Sequence, residues 1–77
     1  MSNLPVTSGR EAVAALQRIG YIVTRQRGSH IRLRHLHDAQ RRPVTVPDHA
    51  TLKSGTLRAI IRDARLTVDE FVELLGR

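Results

Sequence analysis

The stretch Tyr21-Ile22-Val23-Thr24-Arg25-Gln26-Arg27-Gly28-Ser29-His30-Ile31-Arg32-Leu33-Arg34 decides the fold. Its first residues are aromatic or β-branched, the types that suit a pleated, half-buried surface. Gly28-Ser29 interrupts the run as a two-residue turn, because glycine tolerates the positive φ that a tight hairpin demands. Beyond the turn the sequence alternates strictly. Ile31 and Leu33 point toward a core, while His30, Arg32 and Arg34 point to the opposite side. The pattern is that of an antiparallel hairpin with one wet face.

Upstream, Ser8 and Glu11 have the spacing of a capping box, in which each side chain satisfies the other residue's backbone amide. Ala12, Ala15, Leu16 and Ile19 then form the one-sided apolar stripe of a helix, and Gly20 stands where a left-handed C-terminal cap is expected. Downstream, the polar segment from Leu36 to Arg42 reads as a loop. Val44-Thr45-Val46 reads as a third strand. Pro43 and Pro47 flank it and donate no ladder hydrogen bonds, which assigns it to a sheet edge. After a loop over Asp48 to Lys53, Ser54 is expected to cap a helix with the stripe Leu57, Ile60, Ile61 and Ala64. Arg58, Arg62 and Arg65 occupy its other side. A second capping box, Thr67 with Glu70, opens a last helix with Val68, Phe71, Val72 and Leu75. The order α-β-β-β-α-α predicts an α+β domain, a three-stranded antiparallel sheet covered on one face by helices. Residues 1–77 are read as one domain, with an ordered core over about 8–75 and an N-terminal tail over 1–7.

Composition narrows the function classes. Seventy-seven residues make one domain and leave no room for a Rossmann or barrel enzyme with a deep cofactor pocket. The absence of cysteine excludes a disulfide framework, a thiolate metal site and a cysteine nucleophile. No stretch has the length and apolarity of a membrane span, and the first residues lack the pattern of a signal peptide, so a cytoplasmic protein is expected. The net charge is +6, and its excess is local. Residues 21–53 carry Arg25, Arg27, Arg32, Arg34, Arg41, Arg42 and Lys53 against only Asp38 and Asp48. From residue 54 onward, four arginines balance four acids. A basic middle segment suits a polyanionic partner, although a merely solubilising face has the same composition.

Among the four histidines, His35 and His37 are two apart, but nearby residues do not complete a metal ligand set, and solvated loop histidines are the better reading. No metal or other cofactor is expected. His30 differs: it follows a rigid turn and shares a strand face with Arg32 and Arg34. An imidazole can exchange protons with a ribose hydroxyl or a leaving oxygen near neutral pH, and guanidinium groups can hold a phosphate and stabilise its charge. Chemistry of this kind borrows its nucleophile from RNA. The bland alternative is a histidine solvated on a basic face. Ser29 makes no dyad with His30, since strand neighbours point to opposite sides. Lys53-Ser54-Gly55-Thr56 combines a cation, hydroxyls and free amides at a helix start, which serves an anion as well as it caps a helix. With only Tyr21 and Phe71 as aromatics, both expected in the core, phosphate and ribose contacts are favoured over a base-stacking platform.

Taken together, several segments resemble the HicA-type mRNA interferase toxins. They are Gly20-Tyr21, Arg25-Gln26-Arg27-Gly28-Ser29-His30, Arg34-His35, Val44-Thr45-Val46-Pro47 with His49, and Leu52-Lys53-Ser54-Gly55-Thr56-Leu57. The similarity runs from about Gly9 to Leu75 and is most specific at the Gly-Ser-His turn. The resemblance implies a double-stranded-RNA-binding-domain-like α-β-β-β-α fold, here with an extra C-terminal helix. It further implies metal-independent endoribonuclease action on mRNA with His30 as the catalytic histidine, and neutralisation by a HicB-type antitoxin. The loop from Leu36 to Pro43 is longer than is usual in that family, and the connection from His49 to Leu52 is shorter. On this reading Gly28 and Ser29 shape the catalytic turn, and Arg25, Arg27, Arg32, Arg34, Lys53 and Thr56 bind RNA. His49 is a candidate second proton-transfer group, and the HicB-type partner covers the His30 face. Two other readings use the same basic face, a non-catalytic RNA-binding module and a domain that docks on an acidic protein.

Overall fold

The computed structural model describes residues 3–77; Met1 and Ser2, the start of the segment read as a tail, lie outside the described residues. The elements are α1 (Gly9–Gln17), β1 (Tyr21–Arg27), β2 (His30–His35), β3 (Val44–Pro47), α2 (Ser54–Asp63) and α3 (Val68–Leu74). The strands form one antiparallel sheet in the order β1-β2-β3, which places β3 at an edge as its prolines require. This is the α-β-β-β-α layout of a double-stranded-RNA-binding domain, extended by α3.

The core forms where the helical stripes meet the inward side of the sheet. Ala12, Ala15 and Leu16 of α1, Leu57, Ile60 and Ile61 of α2, and Phe71 of α3 bury against Ile31, Leu33, Val44 and Val46. Both expected aromatics lie inside. Tyr21 stays satisfied there because its hydroxyl donates to the Arg42 carbonyl at 2.8 Å, and burial pushes its phenol pKa up. In α3 only Phe71 is buried, whereas Val68 and Leu75 are partly exposed at the margin.

The helix ends follow the sequence with one exception. Capping boxes at Ser8–Glu11 and Thr67–Glu70 are both formed. At α2, however, Ser54 is already helical; the N-cap is Lys53, which makes no side-chain cap bond. The segment read as a tail is tied down before residue 8: Thr7 is buried, its carbonyl accepts from the Leu52 amide at 2.9 Å, and Leu4 packs on the core. At the other end, Arg77 donates to the Val6 carbonyl at 2.7 Å and pairs with Glu11 at 3.3 Å.

Two features of the sheet position its open face. The first is a bulge. Val23 lies opposite Leu33 and Arg25 opposite Arg32, so Thr24 is an extra residue with no partner on β2. Directly opposed residues share a face. Tyr21 and Val23 therefore lie on the helix-covered side, and strict alternation would put Arg25 and Arg27 there too. The bulge reverses the phase, so Arg25 and Arg27 join His30, Arg32 and Arg34 on the open side. Thr24 Oγ1 donates to the Arg32 carbonyl at 3.3 Å across the irregularity.

The second feature is the approach of α1 to β3. Gly9 donates its amide to the His49 carbonyl at 2.9 Å, and a Cβ on Gly9 would lie 1.9 Å from the Pro47 carbonyl oxygen. Arg10 grips the Asp48 carboxylate with two donors, Nε at 3.1 Å and Nη2 at 2.9 Å. The Asp48 amide in turn donates to the Ser29 carbonyl at 2.6 Å. A backbone chain thus runs from the first turn of α1, through the end of β3, to the hairpin turn.

Gly9→Ala is therefore expected to destabilise the domain by about 1–3 kcal/mol, since the obstructing atoms are backbone and cannot rotate away; urea denaturation followed by circular dichroism measures it. A second expectation concerns acid. The amide and hydroxyl of Ser8 hold the Glu11 carboxyl below its ordinary range, and the Arg10 hydrogen bonds do the same for Asp48. A depressed carboxyl pKa contributes stability above the unfolded value and loses it as pH falls through the folded value. Melting temperature should stay level down to about pH 4.5 and then fall toward about pH 2, with Asp48→Asn showing a lower plateau and a shallower fall.

Candidate nucleic-acid interface

The hairpin turn is built by Gly28, whose φ of 54° is the only positive φ in the turn, as the first central residue of a type II′ turn requires. His30 follows at once as the first residue of β2. Its ring is exposed on the open face and, among the described residues, no hydrogen bond engages it. Across the sheet, His30 lies between Arg27 and Pro47, and Arg32 lies between Arg25 and Thr45. These two rows bring five side chains around a shallow recess of about 300 Å³, lined by Arg25, Arg27, His30, Arg32 and Thr45. Arg32 Nη1 donates to Thr45 Oγ1 at 2.8 Å, which fixes one guanidinium while leaving its remaining donors outward.

Electrostatically the face is one-signed. No Asp or Glu occupies it, and among the described residues Arg25, Arg27, Arg32 and Arg34 form no salt bridge. The ion pairs Arg10–Asp48, Arg41–Asp38, Arg62–Asp63 and Arg77–Glu11 all lie off this face. An array of unpaired guanidinium groups around an exposed imidazole can take a phosphate in bidentate fashion and present a proton donor or acceptor to it.

The other candidates are placed differently. Arg34 is on the same sheet face, one row along opposite Ile22, but lines a separate depression with the Leu36–Pro43 loop. His49 is exposed beyond β3, and its carbonyl, held by Gly9, is the part the fold uses. Lys53 and Thr56 stand at the start of α2, outside the recess. The histidine pair also separates. His37 is exposed, as a solvated loop residue is, but His35 is half-buried and structural. The His35 Nε2 is hydrogen-bonded to the Ile19 carbonyl, its Nδ1 accepts from the amides of His37 at 3.2 Å and Asp38 at 2.9 Å, and its ring meets Tyr21 edge-on. The solvated reading is thereby corrected for His35, because burial beside Tyr21 exchanges water for these backbone partners. Among the described residues no cluster of three or more His, Cys, Asp or Glu is arranged to hold a metal ion, and no helix is long and apolar enough to cross a membrane.

Sequence reasoning missed three contributors. Thr45 was visible as the outward residue between Val44 and Val46, opposite the arginine row. The Thr24 bulge had only an indirect signal, the conflict between a buried Tyr21 and arginines at even spacing from it. The support of the turn by Asp48 and Arg10 had none, since the pair is 38 residues apart.

No curated protein matches the chain. The family model for the HicA toxin of bacterial toxin–antitoxin systems matches residues 9–66, from the first residue of α1 to just past α2, and so includes the whole sheet and the His30 recess. The chain belongs to the HicA toxin family and is the toxin side of a toxin–antitoxin pair.

Proposed function

We propose that the chain is a metal-independent endoribonuclease that cleaves mRNA in the cytoplasm and so blocks translation. The observation that carries this reading is the exposed His30 ring within a recess whose other walls include Arg25, Arg27 and Arg32. The ribose 2′-oxygen attacks the adjacent phosphorus, the bond to the 5′-oxygen breaks, and the products are a cyclic phosphate and a 5′-hydroxyl end. His30 takes the 2′-proton or supplies the proton to the leaving oxygen. Arg25, Arg27 and Arg32 hold the phosphate and offset the charge that grows on its oxygens, with Arg34 extending the track along the sheet. The substrate provides the nucleophile and the arginines provide the cationic charge, so the chemistry calls for no metal or other cofactor.

Gly28 and Ser29 serve by holding the turn. Lys53 and Thr56 contribute a second phosphate contact at the start of α2. His49 is the further proton-transfer candidate, requiring RNA to reach past the end of β3. The antitoxin is a HicB-type protein that covers the His30 face, since hiding either the imidazole or the arginines stops cleavage.

His30→Ala is expected to lower cleavage of RNA in EDTA by at least about 100-fold while changing RNA affinity less than about threefold; equal cleavage by the two proteins defeats the assignment. Tight, salt-sensitive binding with no product from either protein indicates the non-catalytic module instead. The bulge yields a paired expectation. Deleting Thr24 makes β1 regular without changing which side Arg25 and Arg27 take, so RNA affinity persists. Deleting Gln26 turns one of those arginines away from the face, which weakens binding and reduces the salt dependence by about one phosphate contact. Filter binding at several salt concentrations measures both.

A further inference from the structure

The groove between α2 and α3 is chemically unlike the sheet face. It encloses about 860 Å³; Ala59, Leu66 and Val68 give it an apolar lining, and Arg58, Arg62 and Arg65 stand around it. Arg58 and Arg62 are one helical turn apart and Arg65 continues the row, so the three form a cationic ridge beside an aliphatic trough. Among the described residues Arg58 and Arg65 form no salt bridge. Arg62 reaches only the neighbouring Asp63, at 3.4 Å, with its side chain 75% exposed.

Arg65 has a second peculiarity. Helices α2 and α3 end in the same hydrogen-bonded motif. In α2 the amide of Arg65 donates to the Arg62 carbonyl and that of Leu66 to the Ile61 carbonyl; in α3 Gly76 donates to Glu73 and Arg77 to Val72. The motif needs a left-handed residue at its pivot, for which glycine is the default. Helix α3 has Gly76 there at φ 83°, but α2 has Arg65 at φ 60°, the only non-glycine residue with positive φ among those described. A guanidinium is thus kept at the groove in a backbone conformation that disfavours any side chain.

We propose that this groove docks an acidic amphipathic helix of a partner protein. Apolar side chains on one face of that helix fill the trough, and carboxylates beside them meet Arg58, Arg62 and Arg65. The aliphatic lining favours a peptide over nucleic acid, whose backbone offers no apolar ridge to fill it. The recess around His30, by contrast, has no aliphatic residue among those that line it. The inference stands apart from the nuclease reading, because none of the groove residues belongs to the His30 recess.

The test uses the full chain and a synthetic helical peptide of about 18 residues, longer than the length at which isolated helices are marginal. Leucines repeat along one face and glutamates flank them. Fluorescence anisotropy reports affinity, and amide chemical shifts report the site. Binding should perturb Ala59, Leu66 and Val68, and should weaken at least about tenfold in Arg58→Glu and in Arg65→Gly. Arg65→Gly should hold or raise the melting temperature, which separates lost binding from lost folding. The proposal is overturned by absence of binding, by shifts confined to the sheet face, by equal affinity of a lysine-flanked peptide, or by unchanged affinity in Arg65→Gly. Displacement of the peptide by an RNA duplex that shifts the same amides would assign the groove to nucleic acid and overturn it as well.

Discussion

The structure depends on one close backbone approach, that of the first turn of α1 to the end of β3. With hydrogen in place of a side chain at Gly9, the amide reaches the His49 carbonyl, and Arg10 can close on Asp48. From there the Asp48 amide fixes the Ser29 carbonyl, which belongs to the turn ahead of His30. The helix that buries the sheet's inner side is thereby also the brace for the turn that precedes the exposed His30 on the outer side. Packing and the candidate chemistry share a single seam, and both lie within the segment that places the chain among the HicA toxins.

The charge on the open face is a matter of phase more than of composition. Thirteen basic residues in a chain this short could be scattered over the whole surface. What gathers four arginines on one side of the sheet is alternation in β2 combined with a phase change in β1 at Thr24. The acids are held elsewhere, on the helices, in the loop after β2 and just beyond β3, several of them occupied by caps or ion pairs. Local field strength follows from this separation, since a guanidinium without a carboxylate partner keeps its charge available to an incoming phosphate.

Much of this was legible in the sequence because short-range rules governed it. The capping boxes, the apolar stripes of α1 and α2, the Gly28-Ser29 turn and the alternation through β2 all depend on residues within a few positions of one another, and all appear in the structure. The misses divide. At α2 the helix starts one residue earlier than a Ser54 cap would allow, with Lys53, whose side chain has no acceptor to offer, at the N-cap; the others have a different cause. His35 looked like a loop residue because its partners, the Ile19 carbonyl and the Tyr21 ring, are brought to it only by the sheet. The bulge, the Asp48 brace and the burial of Thr7 likewise depend on which strand or helix lies alongside, a long-range property that spacing along the chain does not encode.

The clamp made by His35 has a consequence for how this chain tolerates change. Its ring fastens the root of the Leu36–Pro43 excursion to the end of the first helix and to the excursion's own amides, while the Tyr21 hydroxyl and the Asp63 carbonyl secure the far side at Arg42. Residues gained or lost between those two fastenings leave the neighbouring strands in step. The fold therefore separates a stretch that is free to drift in length from a ribbon where the loss of a paired residue such as Gln26 would turn a cation to the wrong side.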